Sequence, residues 1–168
     1  MRTEERYNAL KYVGYSVVCA EVPNEISLAF NISGCTHHCD GCHSPFLWEN
    51  NGVLLLDNLG SIINTYKDFI SCVCFMGGDQ NIKELFEACK VSKMQYNIKT
   101  CIYSGSDDTK LFSEIIEKGY LDYLKIGPYI PLNGGLDNPN TNQVMYKIIK
   151  NNSDYILDDI TYLFRVKF

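Results

Sequence analysis

From Ile26 to Ile126 the chain repeats one pattern: a short apolar run, a turn rich in Gly, Ser or Cys, then apolar residues at helical spacing. Ile26–Ile32 (ISLAFNI), Ile70–Met76 (ISCVCFM), Asn97–Tyr103 and Leu121–Ile126 read as strands. They are apolar on both faces, as strands covered by helices are. Residues 57–67 read as a helix with Asp57 as its N-cap. Residues 81–93 place Ile82, Leu85, Phe86 and Cys89 at helix spacing. Residues 107–118 carry Leu111, Phe112, Ile115 and Ile116 on one face, with Gly119 closing the helix. A helix around 141–150 and a last strand around 155–165 complete the pattern.

Alternating strands and helices with short connections predict a single α/β domain with a mostly parallel sheet. Its core covers about residues 20–150, followed by a C-terminal helix–strand extension. A complete (β/α) barrel takes about 250 residues, so 168 residues predict an open sheet or a partial barrel. In either case ligands meet the C-terminal ends of the strands. Each end carries something unusual: residues 33–45 (SGCTHHCDGCHSP), then Gly77-Gly78-Asp79, Ser104-Gly105 and Lys125-Ile126-Gly127. This predicts one site on one edge.

Lys and Arg total 15 against 20 Asp and Glu, a net charge of -5. That balance argues against a general nucleic-acid or anionic-membrane binder. No apolar run approaches the roughly 18 residues of a membrane span. The start, MRTEERYN, leads into no apolar signal-peptide core. The expected compartment is the cytoplasm, where thiols stay reduced and serve metal or catalytic roles. Of eight cysteines, Cys19, Cys72, Cys74, Cys89 and Cys101 lie scattered among apolar residues and read as small core hydrophobes. Cys35, Cys39 and Cys42 lie within eight residues. Three thiolates suit an iron–sulfur cluster with one iron left open to a ligand. A closed zinc site needs a fourth ligand. His43 adjoins Cys42, and His37 or His38 would ligate from within the short loop only under strain. Incidental thiols are the remaining alternative.

The motifs N-I-S-G-C, C-D-G-C-H, F-M-G-G-D, Y-S-G and K-I-G-P-Y, in this order, carry a resemblance. C-x3-C-x2-C after a strand, followed by a Gly-Gly-acid turn, resembles the radical S-adenosylmethionine (SAM) superfamily. Over about residues 20–150 the chain resembles the anaerobic ribonucleoside-triphosphate reductase activating proteins. The resemblance implies a partial barrel of the radical SAM type. It implies a [4Fe-4S] cluster on Cys35, Cys39 and Cys42, with SAM chelating the open iron. It implies cleavage of SAM to a 5'-deoxyadenosyl radical, which generates a glycyl radical on the class III reductase. The implied partners are that reductase's large subunit and a one-electron donor such as a flavodoxin or ferredoxin.

The same resemblance assigns cofactor contacts. Gly41 stands where much of the superfamily has an aromatic residue, and would let the adenine approach backbone groups. His43 would pack on the nucleoside, or else only shape the loop. Gly77, Gly78 and Asp79 would receive the SAM ammonium, a carboxylate suiting an ammonium at close range; the alternative is an ordinary strand-ending turn. Ser104 would bind the ribose or carboxylate. Lys125 would pair with the carboxylate, unless it snorkels at an edge. The loop Tyr129–Asn142 would cover SAM or receive the reductase's glycine loop, unless it is a plain surface excursion. The competing functions are a small radical SAM enzyme acting on a metabolite, such as a 7-deazapurine synthase, and a non-catalytic zinc or iron–sulfur module.

Overall fold

The four apolar runs become adjacent strands at the centre of one sheet. The computed structural model describes residues 8–152 and 154–165. Most of the charged start MRTEERYN lies outside the described residues. The strands are β1 (Lys11–Val18), β2 (Ser27–Ile32), β3 (Val53–Leu54), β4 (Cys72–Met76), β5 (Lys99–Tyr103), β6 (Tyr123–Ile126), β7 (Val144–Asn151) and β8 (Asp154–Asp159). Their order is β3-β1-β2-β4-β5-β6-β7-β8. β2, β4, β5 and β6 run parallel, while β1, β3, β7 and β8 join antiparallel. The sheet is therefore mixed and open, and the mostly parallel arrangement expected from the sequence holds only at its centre. Parallel neighbours need a crossover of a dozen or more residues, whereas antiparallel ones need only a turn. The short turn between β7 and β8 leaves no room for a crossover.

Three expectations need correction. The helix expected around 141–150 is β7, so the C-terminal extension is a hairpin followed by a 3-10 turn at Thr161–Arg165. The segment VMYKIIKN lies between two strands that both offer backbone partners, and that tertiary setting overrides its ambiguous apolar spacing. Asp57 is not an N-cap: helix α1 (Leu55–Tyr66) starts after Leu54 without a side-chain cap, and Asp57 sits in its first turn, facing the positive end of the helix dipole. Cys19 is exposed, not core.

Helix α2 (Ile82–Tyr96) is capped by Asn81, whose side chain accepts from the Glu84 amide. The 107–118 segment resolves into a 3-10 turn (Thr109–Phe112) and the short α3 (Ser113–Glu117), closed by Gly119 at φ +72. The three helices cover one face of the sheet. There Phe30, Phe75, Ile102 and Leu124 pack with Leu59, Ile63, Leu85 and Ile115. The other face carries Ala29, Cys72, Cys74, Cys101 and Met145. Val22, Leu136, Leu163 and Phe164 cover it from connecting segments and the C-terminal turn. The thiols of Cys72, Cys74, Cys89 and Cys101 are fully buried, as small core hydrophobes.

At the N-terminal end of the sheet Glu25 is buried. It accepts from Lys99 at 2.6 Å, Ser71 at 2.5 Å and Tyr123 at 2.7 Å. Burial by itself would raise its pKa, but these hydrogen bonds outweigh burial and hold the carboxyl below its ordinary value. A depressed carboxyl stabilises the fold above its unfolded value and loses that contribution as pH falls through the folded value. Glu25→Gln is therefore expected to flatten the decline in stability between about pH 5 and 3. Urea unfolding at several pH values checks this; an unchanged slope in the variant contradicts it.

Candidate metal centre and its cavity

The parallel register brings the ends of β2, β4, β5 and β6 to one edge. The loop after β2 holds the three clustered cysteines, and backbone bonds tie its two ends down. Gly34 N donates to Glu49 O at 3.2 Å and Cys35 N to Leu47 O at 2.9 Å. Ser33 O accepts from Gln80 Nε2 at 2.8 Å. Between these anchors the chain turns tightly, with Cys42 N donating to Cys39 O at 3.1 Å.

Cys35, Cys39 and Cys42 all line one cavity of about 190 Å³. Gly77, Ser104 and Lys125 share its wall, as do Met76, Tyr103 and Gln143. Sequence reading missed the last three. Met76 and Tyr103 are the final residues of β4 and β5, so the rule that sites form at strand ends would have found them. Gln143 arrives only because β7 runs antiparallel beside β6, which the expected helix hid.

Gly78 and Asp79 are not on this wall. Gly78, at φ +102, lies against Leu85, where a Cβ would come within 2.9 Å. Asp79 stands just behind: its Oδ2 accepts from His37 Nε2 at 2.6 Å and from the Ser104 hydroxyl. Gly41 has φ +67, and a Cβ there would meet Pro131 Cγ at 2.9 Å. The space beside Gly41 is thus occupied by the loop after β6. His43 is exposed and packs against Tyr129, their ring centres 4.8 Å apart and their planes tilted by 51°. Both rings line a second cavity of about 440 Å³, which shares Cys42, Tyr103 and Lys125 with the first.

Lys125 is only 7% exposed, so it does not snorkel. Its Nζ donates to Gly127 O at 2.7 Å and Ser104 O at 3.4 Å. Among the described residues it has no carboxylate partner. Burial lowers its pKa to about 8, against the opposing pull of Cys39, Asp79 and Cys42. An ammonium held this way favours an anion in the cavity. Burial raises the Cys35 thiol, while the backbone amides of His37 and His38 favour its thiolate.

The donor set fits an iron–sulfur cluster better than zinc. Among the described residues, no three His, Cys, Asp or Glu side chains stand close enough together for a single metal ion. A cluster spreads its thiolates over different irons, whereas zinc gathers four ligands on one ion. The three histidines are engaged elsewhere: His37 with Asp79, His38 against Trp48 and His43 against Tyr129. Anaerobic reconstitution is expected to load about four irons per chain, and Cys35→Ala, Cys39→Ala or Cys42→Ala to lower iron and sulfide content. Cys72→Ala is expected to cost about 1 kcal/mol of stability and to leave iron loading intact. Loss of iron in Cys72→Ala but not in Cys39→Ala would reverse the assignment.

Among the described residues no helix is long and apolar enough to cross a membrane. No curated protein and no solved structure matches the chain. A family model described as a 4Fe-4S single cluster domain matches residues 26–130, which spans β2 to the end of β6 and takes in all three loop cysteines. With the thiols on one cavity wall at the strand ends, and with that match over more than half of its length, the chain belongs to the 4Fe-4S single cluster domain family.

Proposed function

We propose that the protein is a radical SAM activating enzyme that installs a glycyl radical on an anaerobic class III ribonucleoside-triphosphate reductase. The observation that carries this reading is the charge pattern around the first cavity. A buried ammonium that has no carboxylate partner among the described residues, Lys125, lines the cavity that the three thiols line, and the Asp79 carboxylate stands just behind that wall, bound to the wall residues His37 and Ser104. An amino acid presents the complementary pair, a carboxylate and an ammonium, and SAM ends in one.

With a [4Fe-4S] cluster on Cys35, Cys39 and Cys42, one electron from a flavodoxin- or ferredoxin-like donor would cleave SAM to methionine and a 5'-deoxyadenosyl radical, which would take a hydrogen atom from the reductase's glycine and leave as 5'-deoxyadenosine. The protein's own residues hold the reactants. Lys125 receives the SAM carboxylate. Asp79 receives the ammonium through Oδ1, which has no partner among the described residues, while Oδ2 is held by His37 and Ser104. The Gly77 backbone borders the same end, at φ +107. Ser104, through its contact with Asp79, orients that carboxylate rather than the ribose. His43 and Tyr129, packed together on the wall of the second cavity, would border the nucleoside there, whereas Pro131 closes the space beside Gly41.

The reaction needs a site closed to water. The open sheet leaves one side to a partner, and the loop from Tyr129 to Asn142 borders that side. The second cavity supports a competing reading, in which this chain alone houses a metabolite such as a 7-deazapurine precursor.

Incubation with candidate reductase, SAM and reductant, followed by electron paramagnetic resonance, tests the proposal. A glycyl-radical signal on the reductase is expected, with SAM cleavage faster when the reductase is present. Full-rate cleavage without reductase, and no radical on it, would favour the metabolite. Asp79→Ala is expected to weaken SAM binding about ten- to a hundredfold while sparing iron content. Calorimetric titration of SAM checks this, and unchanged affinity removes Asp79 from the site.

A further inference from the structure

The turn between Cys35 and Cys39 reaches the strand ends through one side chain. His37 Nε2 donates to Asp79 Oδ2 at 2.6 Å, and the Asp79 side chain is only 5% exposed. With Nε2 carrying the proton, the imidazole donates and the carboxylate oxygen accepts. The same oxygen accepts the Ser104 hydroxyl, and Ser104 Oγ in turn accepts from Ser106 N at 2.9 Å. One carboxylate therefore joins the cysteine loop, the turn after β4 and the turn after β5.

The imidazole also has a fitted seat. A Cβ built on Gly105 would come within 2.6 Å of His37 Cγ and 2.7 Å of Cδ2. These atoms are near the ring's attachment point, so the ring cannot swing aside without moving the loop. Gly105 has no positive φ; it is glycine for the sake of the ring, not of the backbone. The next residue, His38, has φ +45, and its ring packs on Trp48, their centres 4.9 Å apart. The two rings thus fasten the turn at two points.

We propose that His37 is a positioning residue: seated on Gly105 and bound to Asp79, it fixes the Cys35–Cys39 turn against the strand ends. It thereby sets the distance between the iron-bearing thiols and whatever amine Asp79 receives. The second part rests on the reading given under Proposed function; the first concerns the chain alone.

The test uses two readouts. In the metal-free protein, alkylation of each cysteine is followed by mass spectrometry. His37→Ala is expected to speed alkylation of Cys35 and Cys39 about tenfold, the value of one charge-assisted hydrogen bond. Cys72 and Cys101 should stay protected. Gly105→Ala, which keeps the imidazole but removes its seat, is expected to act in the same direction. His37→Gln, whose amide nitrogen reaches close to the Nε2 position, is expected to restore most of the protection. In the reconstituted protein, the midpoint potential and paramagnetic spectrum of the cluster should shift in His37→Ala and return toward normal in His37→Gln. Unchanged alkylation in both His37→Ala and Gly105→Ala overturns the proposal. So does equal acceleration at Cys72 and Cys101, which would mark general loosening. A wild-type protein that binds no iron would defeat the functional reading and leave the alkylation result standing.

Discussion

Parallel pairing of β2, β4, β5 and β6 is the constraint on which the site depends. Parallel strands end at the same edge, so the segments after them meet even though they are far apart in sequence. The cysteine loop, the Gly-Gly-Asp turn, Ser104-Gly105 and Gly127 come together for this reason alone. An antiparallel neighbour in the middle of this set would send one of these groups to the opposite end. The antiparallel strands are confined to the flanks, where they widen the sheet without disturbing the shared edge.

The two faces of the sheet are built differently, and the difference shapes the cavity. Helices seal one face with a deep apolar core. The other is lined by small side chains, Ala29, Cys72, Cys74 and Cys101, and is covered by connecting segments. Leu136 of the loop after β6 and Phe164 of the C-terminal turn both lie over it, and both border the second cavity. The loop between Tyr129 and Asn142 thus belongs to the packing as well as to the rim. Loops cover a sheet less completely than helices do, so space remains at the strand ends.

Charge is distributed unevenly around that space. Placing the Lys125 ammonium where water is scarce is costly, and its backbone acceptors offset only part of that cost. The Asp79 carboxylate is handled in the opposite way. One oxygen is tied to the protein and anchors three segments, while the other keeps its capacity to accept. Among the described residues, one cation without a carboxylate partner on the wall and one anion with an oxygen to spare just behind it form the pattern on which the proposed zwitterionic ligand rests.

The sequence by itself determined the parallel centre, the strand ends and the iron-binding chemistry. Apolar runs that must be buried on both faces can only be inner strands, and three cysteines in a short polar loop have few other uses. Four of the cysteines outside that loop were also legible, because Cys72, Cys74 and Cys101 adjoin Val73, Phe75 or Ile102 in apolar runs and Cys89 lies at helical spacing from Leu85 and Phe86. The tertiary structure alone decided the rest. β7 reads equally well as a helix until β6 and β8 offer backbone partners on either side. Cys19 looks apolar in its local context, yet it falls in a turn that reaches solvent. His37 is one of three similar histidines in the sequence. Its role follows from Asp79 and Gly105, 42 and 68 residues away along the chain, because hydrogen bonds and steric seats are properties of distance in space, which no local pattern encodes.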